Sequence, residues 1–115
     1  EVSLFVDAHE TTLAACKDMG APVVELHTGA YCDAEPNNRA VLMEQLIHGA
    51  EYAHSLGLKV NAGHGINLEN LGGILCIPNL DTLNIGHSLI CRAVFHGLQN
   101  AVGEMLEAMQ EYTGC

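Results

Sequence analysis

Two copies of one phrase carry most of the chemistry in this sequence. Asn61-Ala62-Gly63-His64 recurs 23 residues later as Asn84-Ile85-Gly86-His87, each time where a short run of strand formers gives way to a helical pattern. His64 stands between Gly63 and Gly65. Glycine neighbours let backbone come close to a ligand and leave the imidazole unshielded, and a titration near neutrality suits histidine to general acid or base work. The plainer reading is a glycine-rich turn whose histidine only bonds nearby backbone. Gly86-His87-Ser88 opens a helix, where free N–H groups and the positive end of the dipole favour an anion such as phosphate. Ser88 as a simple helix cap is the competing reading, and the two roles can coexist. Asn61 is expected on the functional side of its strand, to orient a substrate or to satisfy a buried polar layer.

Glu25 is a carboxylate inside the apolar run Val23-Val24-Glu25-Leu26. Alternation puts it on the same face as His27. A carboxylate in such a strand is costly unless paired, so it either joins a histidine or Lys59 structurally or works as a tuned acid or base. Four of the seven histidines, His9, His27, His64 and His87, fall at the carboxyl ends of the four expected strands. His48, His54 and His96 fall within helices and read as surface or boundary residues.

These groups are held by an alternating pattern. Val2–Val6, Val23–Leu26, Lys59–Ala62 and Leu83–Ile85 read as short strands, apolar enough to be buried on both faces. A helix is expected from Thr11 or Thr12, with a threonine as N-cap, Leu13, Cys16 and Met19 as its stripe and Gly20 as its stop. Ala30 to Pro36 reads as a non-periodic connection. A long helix then starts from Asn37 or Asn38, carries Leu42, Leu46, Ala50 and Ala53, and closes at Gly57. Asn67 is expected to cap a short helix with Leu68, Leu71 and Leu75. From Ser88 one final long helix shows Leu89, Ala93, Leu98, Ala101, Met105 and Met109, weakened by Gly97 and Gly103. Four strands alternating with four helices make a βα repeat on a parallel sheet. That is half of a (β/α)8 barrel or most of a small doubly wound sheet. As a free half barrel it exposes two strand edges and the inner face of its sheet, so self-association or a missing partner half is expected.

Composition narrows the partners. The 115 residues, 49% of them hydrophobic, form one domain at most or a piece of one. Net charge is −10, and the four basic residues Lys17, Arg39, Lys59 and Arg92 are scattered, so neither nucleic acid nor a membrane surface is the expected partner. No run approaches the roughly 20 apolar residues of a membrane span. The odd set of five cysteines, Cys16, Cys32, Cys76, Cys91 and Cys115, lacks any C-x-x-C pair and fits reduced thiols, with Cys16 and Cys91 read as small buried hydrophobes. A soluble cytoplasmic protein is the expectation. The chain opens at Glu1 without Met and enters a strand at once, from which an upstream portion is expected.

Taken together, Val2-Ser3-Leu4-Phe5-Val6-Asp7-Ala8, Glu25-Leu26-His27-Thr28-Gly29, Leu56 through Gly65, and Leu83-Asn84-Ile85-Gly86-His87 with Arg92-Ala93 resemble the carboxyl-terminal half of the pyridoxine 5′-phosphate synthase family. The resemblance runs over nearly the whole chain, in order and with compatible spacing. It implies that residues 1–115 are the second half of a (β/α)8 TIM barrel that assembles as dimers and higher oligomers. It also implies a reaction: 1-deoxy-D-xylulose 5-phosphate condenses with 3-amino-2-oxopropyl phosphate, closing the pyridine ring of pyridoxine 5′-phosphate in vitamin B6 biosynthesis. No metal or organic cofactor is implied, because the substrate's own amine forms the imine. By matching motifs, His64 is the proton donor, Glu25 the transition-state stabiliser, and Gly65, Gly86 and His87 bind the amino-ketone phosphate. His9 stands where the family is expected to carry an acidic residue, so it receives no catalytic role. The family's amino-terminal half supplies an arginine set and further His and Glu residues, so this chain alone is expected to be inactive. Two alternatives remain at this level: a metal-dependent barrel hydrolase with His27, His64, His87 and Glu25 as ligands, and a non-catalytic module that binds phosphorylated ligands.

Overall fold

The computed structural model describes residues 1–114, so Cys115 lies outside the described residues. Four strands, β1 (Ser3–Val6), β2 (Val23–His27), β3 (Lys59–Gly63) and β4 (Leu80–Asn84), form one sheet in the order β1-β2-β3-β4. Every neighbouring pair is parallel. The strands are joined through α1 (Glu10–Asp18), α2 (Gly29–Asp33), α3 (Pro36–Ser55) and α4 (Leu71–Ile74), and β4 is followed by α5 (His87–His96) and α6 (Leu98–Met109).

Sequence alternation divides the sheet into two unlike faces. Val24, Leu26, Val60 and Ala62 are at most 1% exposed and pack beneath Leu13 and Cys16 of α1, Leu46, Ala50 and Ala53 of α3, and Leu71 and Ile74 of α4. Each large aliphatic side chain so buried contributes about 1.5–3 kcal/mol. The opposite face carries the register partners Phe5, Glu25, Asn61 and Thr82, a mostly polar row in which Phe5 is 54% exposed. One face is a core and the other is open. The expectation of strands buried on both sides therefore holds for one face only.

Helix boundaries depart from the sequence reading chiefly at the N-termini of α1 and α3. Thr11 and Thr12 lie inside α1, because His9 takes the extended N-cap geometry and its carbonyl already accepts the Leu13 N–H at 2.9 Å. Likewise α3 starts at Pro36, with Glu35 as N-cap, rather than after Asn37 or Asn38. Proline suits a first helical position, since its preset φ is helical and its missing N–H would have no partner there. Within the expected irregular connection the chain forms α2, anchored by the buried Tyr31. Asn67 does cap a turn, its Oδ1 accepting from the N–H groups of Glu69 and Asn70, although regular helix begins only at Leu71. β4 begins three residues before the expected start. The single long final helix is two helices, broken at Gly97, whose φ of +81° an L side chain adopts only under strain. Across the break Arg92 Nε binds the Glu104 carboxylate.

Candidate functional site

All five residues singled out as catalytic or binding, Glu25, His64, Gly65, Gly86 and His87, line one cavity of about 580 Å³ beside the carboxyl ends of β2, β3 and β4. Phe5, Asp33, Ile66, Asn84 and Ser88 help to close it. The placement follows from topology. In a parallel sheet every strand delivers its last residues to the same end, and the turns after β3 and β4 are the two Asn-x-Gly-His phrases.

The His64 turn is held in an unusual conformation. His64 has φ +82° and Gly65 φ +78°, so two successive residues occupy left-handed space. For a histidine this costs about 1–2 kcal/mol, and the surrounding bonds over-determine it. The hydroxyl of buried Thr28 points at the carbonyls of Gly63 (2.8 Å) and His64 (2.7 Å), and the Thr28 N–H also donates to Gly63 O at 2.9 Å. Asn70 Nδ2 donates to Gly65 O at 3.0 Å, and Ser88 Oγ to Ile66 O at 2.6 Å. Four consecutive carbonyls are thus tied by three side chains from different elements. The Ser88 hydroxyl serves this tie, and α5 has Gly86 at its N-cap without a side-chain cap, so Ser88 is not the helix cap one reading expected.

Glu25 reaches the same cavity from the middle of β2. Its Oε2 accepts a 2.7 Å hydrogen bond from Asn84 Nδ2, so its partner is neither a histidine nor Lys59. Lys59 instead pairs with Asp81 (3.1 Å) and Glu1 (3.6 Å). A Cβ at position 63 would run into Glu25 Oε1 and stand 2.9 Å from Asn84 O, so glycine there is what lets the carboxylate lie across β3. Beside Glu25 in register, Asn61 has its Oδ1 buried and, among the described residues, without a partner. The buried-polar-layer reading of Asn61 is left unsatisfied at this atom.

The remaining histidines separate. His27 lies against His64 with ring centroids 5.0 Å apart, meets the edge of Phe5 at 4.9 Å, and has Nδ1 3.4 Å from Asp7 Oδ1. His9 lines a different, smaller cavity with Asp7, His27 and Tyr31. His48 is exposed and pairs with Glu10 at 2.7 Å. Among the described residues, no group of three or more His, Cys, Asp or Glu side chains is arranged to hold a metal ion, so the proposed hydrolase ligand set does not assemble. Cys32 packs against Gly65, and burial above all pushes its thiol above the ordinary range, so near neutrality it stays protonated. Cys91 is exposed on α5, 3.6 Å from His87 Nε2, and is not the buried hydrophobe expected of it.

Among the described residues, no lysine or arginine lines the cavity. An anionic group there would meet backbone N–H groups at the start of α5 and two imidazoles, together with the carboxylates of Glu25 and Asp33. Sequence pattern alone gives Thr28 and Asn84 no role. Their partners lie 36 and 59 residues away, and the one readable hint was a polar residue directly after, or at the end of, a strand.

Comparison with known proteins gives a consistent result. The family model described as "Pyridoxal phosphate biosynthesis protein PdxJ" matches residues 1–111. Curated relatives named pyridoxine 5′-phosphate synthase include one from Neisseria meningitidis, 51% identical over 109 residues, covering 94% of this chain and 45% of the relative. The protein of that name from Parasynechococcus marenigrum is 50% identical, covering 95% of this chain and 44% of the relative. That from Microcystis aeruginosa is 48% identical, with 95% and 46% covered. The chain spans about 45% of the length of the first of these.

Proposed function

The chain belongs to the PdxJ family of pyridoxal phosphate biosynthesis proteins, and from that premise we propose that it forms the carboxyl-terminal half of a (β/α)8 barrel whose activity is pyridoxine 5′-phosphate synthesis. The half-barrel reading rests on three observations. The four parallel strands run in sequence order, only one face of their sheet is covered, and the chain spans less than half the length of its relatives.

The substrates proposed are those of the synthase reaction, 1-deoxy-D-xylulose 5-phosphate and 3-amino-2-oxopropyl phosphate. Ring closure with successive dehydrations needs several proton transfers, and a positioned acid or base typically contributes 10²–10⁴-fold to such a step. In this reading His64 donates a proton to a departing oxygen. Glu25, fixed by Asn84, stabilises positive charge developing on the nitrogen side of the ring. The start of α5, with Gly86 and His87, seats the phosphate of the amino ketone, and Gly65 lets it approach the backbone. A cavity without lysine or arginine is a weak seat for two phosphates. The cations are assigned to the amino-terminal half, which also covers the open sheet face. Further proposals of the same reading are a cytoplasmic location and a homo-oligomeric assembly.

The observation that carries this reading is the convergence of Glu25, His64, Gly65, Gly86 and His87 on one cavity. The experiment supplies the amino-terminal half of a relative as a separate polypeptide and follows pyridoxine 5′-phosphate formation from both phosphates. Product is expected only with both polypeptides, and His64→Ala should lower its rate by about 10²–10⁴. Normal turnover by the chain alone would sink the half-site reading; unchanged turnover in His64→Ala would remove His64 from the chemistry.

A further inference from the structure

We infer that Thr28 is the positioning residue that sets where the His64 imidazole stands in the cavity. The inference deepens the reading of His64 given above, although its geometric part stands without it. Thr28 is wholly buried directly after β2, and its side-chain oxygen lies 2.8 Å from Gly63 O and 2.7 Å from His64 O. A hydroxyl carries one proton, so the two carbonyls share a single donor, while the Thr28 N–H independently fixes Gly63 O at 2.9 Å.

Both peptide groups flanking the His64 Cα are therefore governed from one residue on the neighbouring strand. A histidine at φ +82° returns to ordinary backbone space unless something prevents it. Rotating the peptide back would take the His64 carbonyl away from Thr28 and swing the imidazole out of contact with His27, 5.0 Å away. The space on the other side of the ring is equally restricted. A Cβ on Gly29 would stand 2.9 Å from both His64 Cδ2 and His27 Nε2, so the residue after Thr28 is bare where the two rings meet. Thr28 does not line the cavity itself. Its influence on a ligand passes through His64, and a threonine also fills its buried site with a methyl group that serine lacks and valine duplicates.

These differences define the test. Thr28→Val keeps the shape and removes the donor; Thr28→Ser keeps the donor and removes the methyl. Imidazole resonances of the chain are followed by NMR at one fixed pH, with the exposed His48 and His54 as internal references for folding. Thr28→Val is expected to shift the His64 ring resonances while leaving those references in place, and Thr28→Ser to restore them. In the chain completed by an amino-terminal half, Thr28→Val should lower kcat about 100-fold, the effect of a roughly 1 Å misplacement, with little change in KM. Thr28→Ser should recover most of that loss. An unmoved His64 resonance in Thr28→Val, or a Thr28→Ser as impaired as Thr28→Val, overturns the inference. If Thr28→Val fails to fold, Thr28→Cys, a much weaker donor, is read by the same criteria. Absence of turnover in the completed wild-type protein would count against the proposed function alone, and the His64 resonances would then decide the role of Thr28.

Discussion

Two glycine and asparagine positions make the strongest demands at the scale of single residues. Gly63 is the only residue type that fits between Glu25 and the Asn84 carbonyl. In Gly63→Ala the carboxylate must move, while the β4 backbone, held in its ladder, cannot. The expected cost is about 1–3 kcal/mol of stability, read by urea denaturation, with a larger proportional loss of the synthase turnover proposed for the completed protein. Asn61 makes the opposite case. Its Oδ1 is buried without a donor, and such an atom costs about 1–3 kcal/mol. Asn61→Ala is therefore expected to leave the chain as stable as before, or more so, within about 1 kcal/mol. If a bound substrate supplies the missing donor, the same substitution weakens turnover. A marked loss of stability in Asn61→Ala would show that the amide has a structural partner after all.

Among the elements, the hinge between α5 and α6 combines a backbone and a charge requirement. Gly97→Ala places a Cβ at φ +81°, and a loss of at least about 1 kcal/mol is expected in the urea midpoint. Gly103 lies inside α6 with open space around it, and Gly103→Ala should be neutral or stabilising by about 1 kcal/mol. The hydrogen bond from Arg92 holds the Glu104 carboxyl below its usual range. A carboxyl with a depressed folded-state pKa contributes stability above its unfolded pKa, and that contribution is lost as pH falls through the folded value. Stability should therefore decline on acidification from about pH 5 downward, and Glu104→Gln should flatten part of that decline. An identical acid profile in Glu104→Gln would assign the decline to other carboxylates, among them Asp81, which is lowered by its bonds to Thr82 and Lys59. The two glycines also show why sequence pattern reads α5 and α6 as one helix. Both lie at helix-weakening positions, and only the backbone conformation, set by how α6 folds back on α5, tells a break from a tolerated glycine. β1, β2 and β3 are legible because short apolar runs rich in strand formers and bounded by turn residues favour a strand, whereas β4 starts three residues before the run Leu83–Ile85. The N-caps of α1, α3 and α5 are not legible, since His9, Glu35 and Gly86 take N-cap geometry without a side-chain cap bond, whereas the stops at Gly20 and Gly57 are, each with the positive φ expected of it.

At the scale of the whole molecule, the question is what the open face of the sheet implies. Motif and alternation together brought Glu25, His64 and the Gly86-His87 turn to one end of a parallel sheet. Local pattern holds no information on pairs such as Thr28–His64 or Glu25–Asn84, which exist only once β2, β3 and β4 lie side by side. The same limit applies to the row Phe5, Glu25, Asn61, Thr82: alternation says that it faces away from the helices, and nothing local says what it faces. Truncation energies separate the cases. Leu26→Ala, on the covered face, removes a fully buried side chain and should cost about 2–5 kcal/mol whether or not a second half is present. That is a large part of the 5–15 kcal/mol holding a typical domain together. Phe5 is 54% exposed in this chain, so Phe5→Ala should cost under about 1 kcal/mol when the chain is unfolded alone. If four further strands close the barrel over this face, Phe5 becomes an interior side chain, and the cost of the same substitution should rise to about 3–5 kcal/mol. Measuring both substitutions by urea denaturation, with and without the amino-terminal half, turns the half-barrel proposal into a difference of differences. Equal costs for Phe5→Ala in the two states would mean that the sheet stays open, and the barrel reading would fall with it.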